Sequence, residues 1–585
     1  MTMPTLAGPP IVTGLLMLLF TACALADDCG LPAVPIARIQ GDGSQSPLTG
    51  KAVTVEAVVT FDASHRGGFG GFYLQQADTE TDGNPATSEA LFVYSDRLSP
   101  RPGQRLRVSG KVQEYHGLTE LSSVTTITPC GKADVPEPVP VSLPWPAGRR
   151  PENLEGMRVR LASPLVVIDH FNLHRYGTLT LAPQPQPVPT QILPPGPAAR
   201  ALHRRQQQRR LLLDDGLSRQ FPDPVPYPQG GLSLGRSLRA GSTVSGLTGV
   251  LDYRYGAWRL HPEASPRFQA STPRPPAPPR ADGTTVRVVT LNLGNYFNGD
   301  AGRFAGSRGA RNPDQLARQT RRLVAALTGS DADIAAVTEL ENDGYHGDSA
   351  LAELARALGP DWHYIRRQGD DGDDAIRVAL LYRHSRVVAV GPAQSPPPQS
   401  ILNRGRPPLL QRFQPIGGGA AVAVAVAHFK SKSCHRAEGR QQDQGDGQGC
   451  YAARRMASAQ ALAAWLTALP TPTDSAGTLV TGDLNSYARE HPIQRLMQAG
   501  YTDLINRDDG APASSFRFHG RSGTLDYALA DAALLPRVRQ ARIWAINADE
   551  PRALGYASEG TGPATVPAVP WRSSDHDPVI TDLAL

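Results

Sequence analysis

The chain has 585 residues, of which 19% are charged and 40% hydrophobic, and its formal net charge is +5. These values exclude wholesale disorder and a multi-span membrane protein, and the length exceeds one core, so about three domains of ~150 to 200 residues are expected. The small positive charge permits a polyanionic partner without requiring one.

Residues 1–26 read as a secretory signal, with an apolar run at 11–19 and the small-residue end Ala24-Leu25-Ala26, although no Lys or Arg precedes the run. Leu19-Phe20-Thr21-Ala22-Cys23 offers a second reading, a lipid anchor at Cys23 on an outer-membrane lipoprotein. Secretion to the periplasm or the medium is the main expectation. The run is shorter than the ~20 residues of a spanning helix, and no transmembrane segment is expected. Past Cys23 stand Cys29, Cys130, Cys434 and Cys450, an even number suited to an oxidising compartment. Pairing Cys29 with Cys130 would tie the ends of a first domain. Pairing Cys434 with Cys450 would close a short Gly/Gln/Asp-rich loop, at a chain-entropy gain of ~3 kcal/mol. Free buried thiols are the alternative.

Residues 27–138 hold short alternating runs at 52–59, 71–74, 91–94 and 105–112, separated by Gly, Pro, Asp and Asn, and predict a small all-β domain. Its segment Gly68-Phe69-Gly70-Gly71-Phe72-Tyr73 and the turn Asp82-Gly83-Asn84-Pro85 resemble the OB-like domain found ahead of nuclease domains in secreted bacterial proteins. Aromatics of such barrels stack on bases or simply fill the barrel, and both readings stand. Residues 150–268 predict a second β-rich domain with an insertion. The insertion holds a Pro-rich stretch at 183–197, expected to be extended or disordered, and then Arg200, His203, Arg204, Arg205, Arg209 and Arg210. That cluster is either a phosphate grip or a solvated face. A Pro-rich linker spans 269–284.

From 285 to 585, strand-like runs at 286–291, 334–337, 378–382, 421–427, 479–481 and 543–546 alternate with helical periodicity at 314–327, 350–358 and 452–469. The expected fold is α/β, a two-layer β-sandwich flanked by helices and preceded by all-β OB-like regions. Polar residues gather at the strand ends: Asn292, Glu339, His428, Asp483, Asn485, Asp575 and His576. Carboxylate and amide oxygens without a Cys-rich set favour Mg²⁺ or Mn²⁺, with Ca²⁺ as a further option, over zinc. A hard cation beside imidazoles suits phosphate ester hydrolysis.

Leu291-Asn292-Leu293, Thr338-Glu339-Leu340-Glu341-Asn342-Asp343-Gly344-Tyr345, Gly482-Asp483-Leu484-Asn485, Thr524-Leu525-Asp526-Tyr527 and Ser574-Asp575-His576-Asp577-Pro578 resemble, in order, the endonuclease/exonuclease/phosphatase superfamily. More narrowly, Asn295-Tyr296-Phe297, Arg308-Gly309-Ala310, Asp374-Ala375-Ile376, His428-Phe429-Lys430-Ser431-Lys432, Asp446-Gly447-Gln448-Gly449 and Asn547-Ala548-Asp549-Glu550-Pro551 look like secreted bacterial endonucleases of the ExeM/NucH type.

The resemblance implies that Glu339 binds the metal with Asp575 on the metal side, and that Asn292 touches metal or phosphate. Asp483 and Asn485 would hold the water and a phosphoryl oxygen. His576, oriented by Asp526, would be base or phosphate partner, and His428 the opposing acid or oxyanion partner. Lys430 and Lys432 would touch the substrate backbone, and Asp374 would line the wall. Glu341 or Asp343 could replace Glu339, and Asp443 with Asp446 could take Ca²⁺. The leading expectation is a secreted, monomeric, metal-dependent endonuclease on DNA, with RNA open. A phospholipid or small phosphoester hydrolase, and a non-catalytic extracellular DNA-binding protein, are the alternatives.

Overall fold

The computed structural model describes residues 28–146, 150–270, 272–299, 304, 308–470, 472–510, 513–558 and 568–585; the expected signal segment and Cys23 lie outside them. Strands Ala52–Ala63, Gly71–Gln75, Ala90–Tyr94, Leu118–Lys132 and Gln104–Tyr115 close in that spatial order into a barrel. Alternation drives it, since Val55, Ala57, Val59, Phe72, Leu74, Leu91 and Val93 all point inward. Leu118–Lys132 lacks a clear apolar signal because Ser and Thr take six of its fifteen positions. It forms because Gln104–Tyr115 and Ala90–Tyr94 both pair with it. Cys29 bonds to Cys130 on this strand.

Of the aromatics in the segment 68–73, Phe72 fills the barrel, whereas Phe69 and Tyr73 lie outside it. Tyr73 and Phe92, with Phe61 and Phe69 beside them, pack against Val250 of the next domain. The Arg254 guanidinium lies 4.2 Å from the Phe69 ring centre and 4.4 Å from that of Phe92. The face on which bases would stack is thus covered.

The next domain is a nine-stranded sheet running from Val139–Val141 to Phe268–Gln269. Its Pro-rich stretch is ordered, which corrects the expectation of an extended or disordered segment. Proline starts both of its helices, Pro189–Ile192 and Pro197–Gln207, where a missing N–H costs nothing. Its remaining order comes from the C-terminal domain. Val188 N donates to Ser522 O and Ser522 N to Gln186 O, while Val188 packs with Tyr487 and Leu525. Residues 272–280 are likewise seated: Trp544 Nε1 donates to Pro275 O at 3.0 Å, and Arg280 forks onto Asp333 at 2.9 Å.

The C-terminal domain is two six-stranded sheets packed face to face, with Val286, Val288, Ile334 and Leu380 of one meeting Val422, Val424, Leu479 and Ala528 of the other. Helices Pro313–Gly329 and Ala350–Leu358 cover the outer face of the first sheet, and Ala452–Ala468 with His491–Gln498 cover the second. Ala421–Val426, buried on both faces, is a continuous apolar run for that reason. The fold is mixed α/β, a sandwich of sheets behind an all-β region. Among the described residues no helix is long and apolar enough to cross a membrane.

Glu550 joins the parts. Its fully buried carboxylate accepts from Arg239 at 2.6 Å, from Arg274 at 2.8 Å and from Ser237 at 2.7 Å. Glu550→Gln strands the buried Arg239 charge, and urea unfolding is expected to show a loss of ~3 kcal/mol. A loss below ~1 kcal/mol would show that this cluster does not seat the β-domain on the sandwich.

Candidate active site

Strands from the two sheets end at one edge of the sandwich. Thr290 and Thr481 hydrogen bond across the gap between them. Two residues further on, Asn292 Nδ2 donates to Asp483 Oδ2 at 3.1 Å. Here the ladders break: the register shifts between Asn292 and Tyr296 on one strand and between Val337 and Leu340 on the other. Asn295, Glu339 and Asn485 take positive φ of 57°, 58° and 47°. Such a backbone costs ~1 to 3 kcal/mol per residue unless its surroundings hold it. For Glu339 the holding is visible, because Asn295 donates to its Oε2 from N at 3.0 Å and from Nδ2 at 2.8 Å. Gly482, at φ 129°, has no alternative, since a Cβ there would lie 2.0 Å from Ala427 O.

His576 sits at the centre. Its Nδ1 is 2.7 Å from Asp526 Oδ2, an atom that also accepts from Ser515 Oγ, and its Nε2 is 4.0 Å from Asp483 Oδ2. Phe516 packs on the ring at 4.5 Å between centres. Burial alone would lower the His576 pKa, but Asp526, Asp483 and Asp575 raise it well above the usual value. Asn547 fixes the loop by donating from Nδ2 to His576 O at 2.7 Å.

His428 takes the opposite state. Its Nε2 is 3.4 Å from the same Asp483 oxygen, while Arg406 Nη1 lies 2.8 Å from Nε2 and 3.0 Å from Nδ1. Burial first, then Arg406 and His576, push its pKa well below the usual value, so the imidazole is neutral. Burial pushes Asp483 up to about 7, and burial followed by Asp575 raises Glu339. Asn485 donates from N to Asp483 Oδ1 at 2.9 Å and from Nδ2 to Phe429 O at 3.2 Å.

A cation suits this donor set. Ligand atoms of Glu339, His428 and Asp483 lie within 4.8 Å of one another, as do those of Asp483, Asp526 and His576. The carboxylates crowd each other, one oxygen of Asp526 is buried without a partner, and Asp575 stays exposed to solvent. Hard oxygens under mutual repulsion favour a divalent cation of the Mg²⁺ class. Asn292 lies in the same cluster: its oxygen accepts from Gly294 N at 2.9 Å, and its amide faces Asp483.

Residues 289–576 match the model of the Endonuclease/Exonuclease/phosphatase family. That match spans just under half of the chain, and enzymes of the family are hydrolases that use divalent metals. Solved structures similar to it include the human Nocturnin catalytic domain with bound sulfate, at 14% identity, TM-score 0.34, covering 52% of this chain and 95% of that one. A Bacteroides thetaiotaomicron mannosyl-6-phosphatase is similar at 15% identity and TM-score 0.33, covering 51% and 100%. A humanized D. rerio TDP2 is similar at 13% and 0.33, covering 51% and 97%. No curated protein sequence matches the chain.

Some residues expected at the hydrolase site stand elsewhere. Lys432 is held by both oxygens of fully buried Glu490, at 2.7 and 2.6 Å, so its charge is spent inside the fold and not on substrate. Lys430 lies over the Tyr451 ring at 5.1 Å and stays half-buried. Asp374 pairs with Arg308 at 3.2 Å and lies 3.7 Å from Arg406. Glu341 accepts from Asn298 N and Asp343 from Ala350 N, so both serve loops. Asp443 turns onto Gly445 N, and both oxygens of Asp446 accept from Gln448. Cys434 and Cys450 are bonded, and their loop closes beside the site. Arg406 escaped the sequence reading because Gly405-Arg406-Pro407-Pro408, ahead of the strand Leu409–Pro415, lies outside every motif that carries the resemblance.

In the metal-free protein the His576 imidazole is expected to keep its proton at pH 7.5, followed by ¹⁵N NMR. Asp526→Asn removes the charge on Nδ1 and should move that titration to lower pH; an unmoved titration would show that Asp526 does not set it.

Proposed function

We propose that this chain is an exported, divalent-metal-dependent endonuclease that hydrolyses DNA phosphodiesters. The carrying observation is the convergence of two imidazoles, His576 and His428, at 4.0 and 3.4 Å on one oxygen of Asp483, with Glu339 in reach of the same cluster. Glu339 and Asp575 would hold the cation, with Asn292 beside them. A bound Mg²⁺ or Mn²⁺ would offset charge on the non-bridging oxygens and acidify water.

The chain's own groups do the rest. Asp526 holds the His576 proton at Nδ1 and leaves Nε2–H for a phosphoryl oxygen. Asp483, with a pKa near 7, takes the proton of the attacking water, which Asn485 orients. Oxygen of that water bonds to phosphorus as the P–O bond to the leaving strand breaks, and the leaving oxygen keeps the bonding pair and takes its proton from solvent. Neutral His428, backed by the Arg406 guanidinium, faces the oxyanion, and of its two expected roles only this one suits an uncharged ring. Two disulfides support export. The closed five-stranded barrel supports the OB-like reading, without a stacking role for its covered aromatics.

Purified mature protein is expected to nick supercoiled plasmid with Mg²⁺ or Mn²⁺ but not with EDTA, and His576→Ala to lower the rate ~10³-fold. A folded wild type that leaves plasmid intact would move the substrate to a phospholipid or small phosphoester. Because Asp483 and Glu339 carry raised pKa values, cation binding at pH 6.5 should release ~1 proton. Calorimetry in buffers of different ionisation enthalpy reads this directly, and Glu339→Gln should reduce it.

A further inference from the structure

Residues 170–213 contain six Arg and three His but no Asp or Glu. The structure lays this acid-free stretch beside the active site. Arg210 Nη1 donates to His519 O at 2.8 Å and Arg521 Nε to Gln206 Oε1 at 2.7 Å, joining helix Pro197–Gln207 to the hairpin Phe516–Phe518/Arg521–Gly523. At its base the hairpin carries Phe516, the ring packed on His576. Phe518 stacks on Phe516 at 6.5 Å and is 57% exposed. Arg521 pairs directly across from Phe518, so the two share a face, ~7 Å along the hairpin from the Phe516 pair. From the active site outward the surface therefore runs through two aromatic rings onto cationic side chains.

Among the described residues these cations form no salt bridge, Asp169 being only a neighbour of Arg210. Arg200, His203, Arg204 and Arg205 are exposed along the helix. The hydrogen bonds of Arg200, Arg210 and Arg521 go to uncharged oxygens of Gly445, Gln186, His519 and Gln206. Arg210 Nη2 and Arg521 Nη2 are buried without any partner. Burial, then Arg210, pushes Arg521 down to about 10, and Asp169 is the acidic neighbour of Arg210. Arg239, Arg287 and Arg377, buried in other parts of the protein, are each paired with a carboxylate. An unpaired cationic ridge continuous with a phosphoester site matches a polyanion by charge.

We propose that helix Pro197–Gln207, with Arg209 and Arg210, is an exosite for the phosphate backbone of the nucleic acid whose scissile phosphodiester lies at His576. This rests on the nucleic-acid reading above. The β-domain thereby supplies half of the substrate groove, and Phe518 offers a ring to a base on the way.

The test uses the full chain carrying Arg200→Ala, Arg204→Ala and Arg205→Ala together, all exposed positions outside the catalytic set. KM for plasmid should rise ~10-fold or more, the slope of log KM against log salt should flatten by ~2 to 3, and turnover of bis(p-nitrophenyl) phosphate should stay within about twofold. Lysine at the same positions should restore most of the plasmid KM. A triple Ala variant that cuts plasmid with wild-type KM and salt slope overturns the exosite alone. A wild type that cleaves the small diester but never plasmid overturns the nucleic-acid reading, and the exosite falls with it.

Discussion

Carboxylates at close quarters in a poorly hydrated place repel one another, and the C-terminal domain is built to hold them there. Glu339, Asp483 and Asp526 arrive on strands from two different sheets, so none can relax away without breaking a ladder. Asn295, Asn292 and Ser515 each spend a donor on one of them, and His576 keeps a proton that burial alone would remove. The left-handed backbone at Glu339 and Asn485 belongs to the same arrangement, since it turns the chain back into the gap as soon as each strand ends. A hydrolase site of this kind is stiff because of its scaffold, and its unresolved charge is what a cation answers.

The β-domain is part of that scaffold. Gln191, fully buried, accepts from Thr524 N at 3.0 Å and from Ala488 N at 3.4 Å, bridging the loop after Asn485 to the one before Asp526. Thr190 donates to Glu490 at 2.8 Å, the carboxylate that also holds Lys432. Gly196 N donates to Asp446 O inside the disulfide loop. One short Pro-rich segment thus touches three loops around the site.

How much of this could be read from residues alone depends on where each signal lay. Strands with continuous or alternating apolar runs, such as those leading to Asn292 and Asp483, were legible because burial writes itself into periodicity. Leu118–Lys132 was not, because its order comes from partners on both sides and six of its fifteen residues are Ser or Thr. The Pro-rich segment read as extended or disordered for the same reason: its hydrogen bonds go to residues hundreds of positions away. Lys432 read as a substrate contact because Glu490 lies 58 positions on, beyond any local pattern. The helix Pro197–Gln207 was legible as charge but not as place. Arg406 gave no strand-end signal and emerged only when its guanidinium was seen against His428.

The long-range seating of residues 186–196 bears on how the molecule is made. Thr190 and Glu490 are 300 positions apart, and Gln191 and Thr524 are 333 apart. Contacts of such separation close late, because loop entropy must be overcome before they reward the chain. During synthesis the β-domain is complete while its strap still has nothing to grip. The strand Val579–Leu583, which seats His576, pairs with Val286–Tyr296, at the far end of the domain in sequence. The finished site therefore comes at the close of assembly, and a ribosome-bound chain carries no complete cleft.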